Sequence, residues 1–431
     1  MIVVLETFVA LLSLLPLALS VNAFYSCRLN FALMYYPVFF VFFPLQIFFD
    51  LLVGKPEYPA KFNLLDISYD HNMVNVIYYL FLLSFVFLLL FLQLKRRFDF
   101  GAWSIGASGR NYPLLRFILL IFIMLGPISV LFTSNASIYL RYGEVRDYLG
   151  TSSYDEHARV WAISFLSAIC VLVYRVLEGP KKKLGSSLLL LFVLGLDIYI
   201  NGKRLIFVFP LLFFVIDYLY AGYSRSVKLL FILISLVFFV STYATYDKFD
   251  REMSPSEDYH YFRLEFGRDD VMKYVIHDRL VEDERFLEYP GQSLVYTLLG
   301  YFPREAYEAL AGSEKPYPYA QYLTGKLIRG EQGVGLLGWT MTTSIYDEMV
   351  ANFSWLGFLA NFALVIYFYL ITDSERSYYL KFFYVSIMVL LTIVHTAPYL
   401  FLVYILLVIR SLRFFMRLAN GLLRTNTCTD G

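Results

Sequence analysis

Residues 73–94 read MVNVIYYLFLLSFVFLLLFLQL and run directly into Lys95-Arg96-Arg97. No charged side chain interrupts the run. As a helix rising about 1.5 Å per residue it reaches about 33 Å, which covers a hydrocarbon core of about 30 Å. The basic triplet that closes it is the mark of a cytoplasmic end, because membrane insertion retains lysine and arginine on that side.

The pattern repeats outward in both directions. Apolar runs lie near residues 2–21, 31–53, 114–132, 160–177, 204–220, 229–246, 354–371, 380–395 and 398–412. Residues 186–200 form a shorter run; counting it places the flanking basic clusters on one side. The expectation is an all-α polytopic membrane protein of about eleven transmembrane helices. Composition agrees, at 59% hydrophobic and 16% charged, far from the balance of a water-soluble chain. A net charge of +1 provides no field to draw the chain to nucleic acid. Cys27, Cys170 and Cys428 show no paired or metal-ligand spacing, and no zinc motif, P-loop or nucleophile elbow occurs.

Orientation follows from the basic clusters. Lys181-Lys182-Lys183, Arg225 with Lys228, Arg376 with Lys381, and Arg410, Arg413, Arg417 and Arg424 join the first triplet in the cytoplasm if the N-terminus is outside. The chain then divides into residues 1–246, with transmembrane helices 1–8, a large outer loop at 247–353, and residues 354–431, with helices 9–11 and a basic cytoplasmic tail. An apolar stretch at residues 2–21 without a basic leader and with Glu6 inside it reads as an uncleaved first span.

The long loop is too apolar to be a linker and is expected to fold against the membrane. Gly267-Arg268-Asp269-Asp270 precedes residues 271–281, where Val271, Val275 and Ile276 recur near helical period. That reads as an amphipathic helix with Arg268 at its mouth and acids in its first turn, where the helix dipole favours them. The short apolar stretch 294–301 reads as a re-entrant or interfacial element. Glu348 is a carboxylate at the membrane edge. Lys203-Arg204 is a basic pair outside against the positive-inside trend; it belongs to a site, to a mis-assigned hairpin, or to a pair with Asp197 across the turn. Arg141 and Arg159 either flank the same cavity or make ordinary loop salt bridges.

Together these residues suggest an outer vestibule in which Arg204, Arg268 and Arg304 meet carboxylates from Asp269, Asp270 or Glu348. Arginine suits the multidentate recognition of phosphate and pyrophosphate. His277, beside Asp278, is either a proton acceptor or part of a solvated helix face. Tyr301, Tyr317 and Tyr319 either stack on sugars or pack at the interface.

An ordered series of short motifs then resembles a family. It comprises Leu140-Arg141-Tyr142 after the fourth span, Gly202-Lys203-Arg204 opening an apolar span, Gly267-Arg268-Asp269 in the outer loop, Tyr301-Phe302-Pro303-Arg304, Lys315-Pro316, and Glu348 leading to Asn352-Phe353. The chain is similar in these to the bacterial oligosaccharide repeat-unit polymerases, the Wzy-type O-antigen polymerases, and among them the enterobacterial common antigen polymerases. Lys203 and Phe302 depart from that family, which usually has Gly-Thr-Arg or Gly-Ser-Arg and Phe-Ile-Pro there.

The resemblance implies a GT-C-like multi-span glycosyltransferase of the bacterial inner membrane that needs no metal or other cofactor. Donor and acceptor would both be undecaprenyl-pyrophosphate-linked glycans, joined on the periplasmic face, with a chain-length regulator as a possible partner. Arg204, Arg268, Arg304, Arg141, Arg159, Lys315 and Tyr301 would bind substrate, and Glu348, Asp269 or His277 would act as base. The alternatives are an O-antigen ligase delivering glycan to lipid A core, and a transporter or flippase of the same lipid-linked glycan.

Overall fold

The computed structural model describes residues 2–26, 28–56, 58, 62–95, 97–99, 113–140, 154–178, 184–201, 213, 259, 263, 267–299, 308–309, 317–334, 340–375 and 378–393. Helices dominate these residues: α1 Ile2–Ser26, α2 Phe31–Phe42, α3 Pro44–Leu52, α4 Asn63–Asp70, α5 Asn72–Gln93, α6 Pro113–Ser129, α7 Tyr154–Glu178 and α8 Leu184–Asn201. The loop region contributes α9 Asp269–Ile276, α10 Gln292–Leu299, α11 Tyr319–Arg329 and α12 Ile345–Phe353, and the last part α13 Trp355–Ser374 and α14 Tyr378–Ile393.

Among the described residues, four helical stretches are long and apolar enough to cross a membrane: α1, α2 with α3 over Phe31–Leu52, α5 and α13. Shorter apolar helical stretches lie at Arg116–Phe132, Ile163–Arg175, Leu188–Ile200 and Leu380–Ile393. Large side chains stand exposed on the outer helices, among them Val4 and Leu11 on α1, Phe87 and Phe91 on α5, and Leu356 and Leu359 on α13. Contiguous apolar exposure of this kind suits lipid rather than water. The fold is that of an all-α membrane protein. The expected spans at 204–220, 229–246 and 398–412 lie almost wholly outside the described residues.

Where the sequence reads as one span over 31–53, the helix breaks at Phe43. Pro44 carries no N–H and restricts the residue before it, so α2 ends and α3 begins with proline in its first turn. The break leaves carbonyls that need donors. Gln46 Nε2 donates to the Val41 carbonyl at 2.8 Å, and the backbone N–H of Arg268 donates to the Phe42 carbonyl at 3.2 Å. A discontinuity in a membrane helix thus becomes a docking point for the long loop.

Two further contacts seat the loop. Tyr346 of α12 inserts among Phe39, Phe43, Phe81 and Phe85, with ring centroids 6.1, 5.5, 6.2 and 5.0 Å away. Its hydroxyl meets that of Tyr35, which reaches Thr392 of α14 at 2.6 Å. The corner from α12 into α13 is sharp: Ser354 adopts φ 56°, and a Cβ at Gly357 would sit 2.3 Å from the Met349 carbonyl oxygen. Only glycine permits that approach.

Helix α9 packs against α4, α5 and α12. All eight of its residues are buried. The expected amphipathic helix is therefore present but without a wet face; its polar residues are matched inside the protein instead. Helix α11 starts behind Pro318 and stops at Gly330, whose φ of 71° is a left-handed helix end.

Candidate functional site

Three polar clusters surround α9 and the turn that follows it. The first forms on its amino-terminal side. A Cβ at Gly267 would lie 2.5 Å from Asp270 Oδ1 and 3.0 Å from Asp269 Oδ1, so glycine lets both carboxyls fold back over the helix start. Arg263 places Nη2 2.7 Å from Asp269 Oδ2 and Nη1 3.0 Å from Asp50 Oδ1, and donates to the Gln46 carbonyl at 2.9 Å. Tyr69 donates to Asp269 at 2.9 Å, and Tyr58 donates to Asp270.

Burial opposes ionisation of Asp269, but Arg263 and Lys273 outweigh it and hold the carboxyl below its ordinary range. Burial and the neighbouring Asp269 charge push Asp270 up to about 7. Lys273 is buried with Nζ 3.5 Å from the Tyr69 ring centroid, 5.2 Å from that of Tyr78 and 5.6 Å from that of Tyr79. Burial pulls its amine below the ordinary lysine value, although Asp269 and Asp50 resist. The rings compensate part of the lost hydration.

The second cluster joins α9 to α12 and α14. Arg268 donates from Nη2 to the Ile393 carbonyl at 2.7 Å and from Nη1 to Thr342 Oγ1 at 3.0 Å, with its guanidinium 5.2 Å from the Phe42 ring centroid. Ser344 and Asp347 form a capping box that starts α12. Asp347 is pushed up to about 6 by burial. Glu348 is pushed up to about 8, also by burial, with the Ser293 hydroxyl bonding its carboxyl. Asn352 Nδ2 donates to Ser293 Oγ at 2.8 Å.

The third cluster lies where α9 ends. Residues His277–Val281 form a π turn, a rare geometry that often accompanies a functional position. His277 Nδ1 is 3.0 Å from Asp278 Oδ1, and Asp278 Oδ2 is 3.1 Å from Lys326 Nζ on α11. Lys326 also pairs with Glu284 at 2.6 Å. In a neutral imidazole the carboxylate beside Nδ1 favours the tautomer with the hydrogen there, which makes Nε2 the acceptor. Nε2 is 3.9 Å from Glu282 Oε1, and the His71 ring stands 5.5 Å away, centroid to centroid.

Arg268, Asp269 and His277 therefore lie on one short segment, whereas Glu348 on α12 turns its carboxyl to Ser293 of α10. They do not meet in one vestibule: Asp269 turns to Arg263, Arg268 to α14, and His277 to Asp278. Arg204, Arg304, Arg141, Lys315 and Tyr301 lie outside the described residues, as does the side chain of Arg159 on α7. Tyr319 is buried in the first turn of α11. Sequence reasoning missed Arg263, Asp50, Lys273 and Lys326. Asp50 was detectable as a lone carboxylate closing an apolar run; the other three become meaningful only with their partners. Among the described residues, no group of three or more His, Cys, Asp or Glu side chains is placed to hold a metal ion.

No family model, curated protein or solved structure matches this chain.

Proposed function

We propose that the protein is a GT-C-like, multi-span glycosyltransferase of the bacterial inner membrane, with about eleven spans and its long loop on the periplasmic face. It polymerises polyprenyl-pyrophosphate-linked oligosaccharide repeat units. The growing glycan leaves its lipid pyrophosphate and joins a hydroxyl of an incoming lipid-linked repeat. The observation that carries this reading is the imidazole of His277, oriented by Asp278, which Lys326 holds in turn.

Protonation of Glu348 and enclosure of Asp269 favour His277 among the three candidate bases. Glu348, pushed up to about 8, holds its proton at neutral pH and is a poor acceptor. Asp269 is ionised but enclosed with Arg263. His277 keeps Nε2 as an acceptor at the edge of the fold, its side chain 11% exposed. In the proposed step Nε2 takes the acceptor hydroxyl proton, the hydroxyl oxygen bonds the anomeric carbon, and the carbon–oxygen bond to pyrophosphate breaks. The leaving pyrophosphate keeps the electron pair. Its charge falls to Arg204 and Arg304, since Arg268 is engaged in positioning α9 against α14.

The test is a reaction of the purified protein with one defined lipid-linked repeat unit. A ladder of longer glycans is expected, lost in His277→Gln by roughly 10²- to 10⁴-fold, the usual contribution of a general base. No ladder from active wild-type preparations refutes polymerisation. In cells, loss of the protein is expected to leave a single repeat on the final acceptor. Unattached long polymer on the carrier lipid would instead identify a ligase, a reading that a loop histidine also favours. Accumulation of cytoplasm-facing repeat would identify a flippase.

A further inference from the structure

Helices α6, α7 and α8 pack on one another as a unit. Pro127 interrupts α6, so the Ile123 carbonyl loses its helical donor. Immediately before it, Gly126 opens a notch: a Cβ there would lie 2.2 Å from Asp197 Oδ1 and 2.6 Å from Ser167 Cβ. Ser167 of α7 and Asp197 of α8 are both fully buried and both enter this notch. Ser167 Oγ lies 2.8 Å from the Ile123 carbonyl oxygen and 2.6 Å from Asp197 Oδ2.

Counting hydrogens settles who donates. A serine hydroxyl carries one hydrogen, while a carbonyl and an ionised carboxylate carry none. Two contacts at hydrogen-bond distance need two hydrogens, and an ionised Asp197 would leave one of them empty. Because Pro127 has no N–H to give, the serine hydrogen goes to the Ile123 carbonyl. The second hydrogen must therefore sit on Asp197.

We propose that Asp197 is a proton-binding site within the membrane unit: it stands as a neutral carboxylic acid that donates to Ser167, which donates to the Ile123 carbonyl. The surroundings agree. Among the described residues no cation pairs with Asp197, and its Oδ1 has no hydrogen-bond partner. Besides Asp197, the described charged side chains of the unit are Arg116 on α6 and Arg175 on α7. An unpaired carboxylate is costly in such a place, whereas a neutral acid is tolerated. This proposal does not depend on the reaction proposed above.

Infrared difference spectra of the purified protein at neutral pH test it. Asp197→Asn, which preserves shape and a donor, is expected to remove one carboxylic-acid C=O band and leave the carboxylate bands unchanged. Ser167→Ala is expected to shift that same band to higher frequency, because the acid loses its acceptor. Loss of carboxylate intensity in Asp197→Asn, or no change in the acid region in either variant, overturns the proposal. Should Asp197→Asn fail to fold, the Ser167→Ala shift alone decides.

Discussion

Replacing Arg263 with methionine should unfasten the loop from the membrane helices. The guanidinium bonds Asp269 at 2.7 Å, Asp50 at 3.0 Å and the Gln46 carbonyl at 2.9 Å, with none of the three charged side chains more than 3% exposed. Breaking one buried pair by removing a partner costs about 3–5 kcal/mol. Here two carboxylates lose the same cation. Each can escape by taking up a proton, which at neutral pH costs an ordinary aspartate about 4 kcal/mol, three pH units at about 1.4 kcal/mol each. The deficit should thus fall between about 3 and 8 kcal/mol. Its pH dependence has a definite sign. In the wild type Asp269 is held below its unfolded value, so its stabilisation is present above that value and is lost as pH falls. In the variant the carboxyls bind protons in the fold, and acid relieves the penalty. The gap should narrow on acidification. Denaturant unfolding in mixed micelles across pH measures it, with protease protection of the loop as a second readout. A deficit under about 1 kcal/mol, or one independent of pH, would refute a buried ionic clasp.

Three other outcomes follow from the same geometry. Glu348, pushed up to about 8 from an ordinary 4.5, binds a proton in the fold that the unfolded chain lacks between those values. Wild-type stability should therefore fall as pH rises through that window, and Glu348→Gln should fall less steeply, since only Asp270 and Asp347 then still release protons there; parallel melting-temperature curves would contradict this. Gly357→Ala should cost about 1–3 kcal/mol, because the clash is with the Met349 backbone carbonyl and no rotamer relieves it; an unchanged melting temperature would count against the α12–α13 corner. Lys326→Met frees Asp278 from its 3.1 Å partner. Turnover should drop on the order of 10-fold with KM little changed and the pH profile displaced, the sign of a positioning residue; a KM effect alone would place Lys326 in substrate binding.

What the sequence revealed and what it hid divide along a physical line. Spans such as α5 are legible because a helix-length, largely apolar run with no charged side chain has only one solvent. The break at Phe43 was also written there, in Pro44, but a hydropathy run smooths over a single proline. Helix α11 was signalled by Pro318 before it and Gly330 after it, yet Lys315-Pro316-Tyr317-Pro318 reads locally as a turn. The charge pairs were not legible at all. Asp50 and Arg263 are separated by more than 200 residues, and nothing local distinguishes a clasp from two solvated charges. Reading 271–281 as amphipathic assumed that polar residues on a helix seek water. In α9 they seek Tyr58, Tyr69, Arg263 and the Ile393 carbonyl, so the periodicity was right and the inferred surface was wrong.

A helix buried on every side with polar residues on several of them is a poor way to gain stability, since an apolar helix of the same volume would avoid the desolvation. Its use lies in register. Each polar side chain of the Arg268–Lys273 segment has its partners outside the helix: Arg268 on α14 and Thr342, Asp269 on Arg263 and α4, Asp270 on Tyr58, and Lys273 on the tyrosines of α4 and α5. A slip of one residue turns the helix by about 100° and mismatches all four. That register in turn fixes where His277 emerges at the π turn. The combined variant Arg263→Met, Asp50→Leu, Asp269→Leu and Tyr69→Phe should separate stability from register. Its unfolding free energy should recover to within about 2 kcal/mol of wild type, because the clasp charges are removed together and buried Lys273, left without Asp269 and Asp50, can shed its proton. The proposed polymerising activity should stay low, because an apolar contact tolerates sliding where the ion pairs did not. Full recovery of both would show that the clasp serves stability alone; recovery of neither would show that Arg263 holds the fold through bonds the apolar set cannot replace.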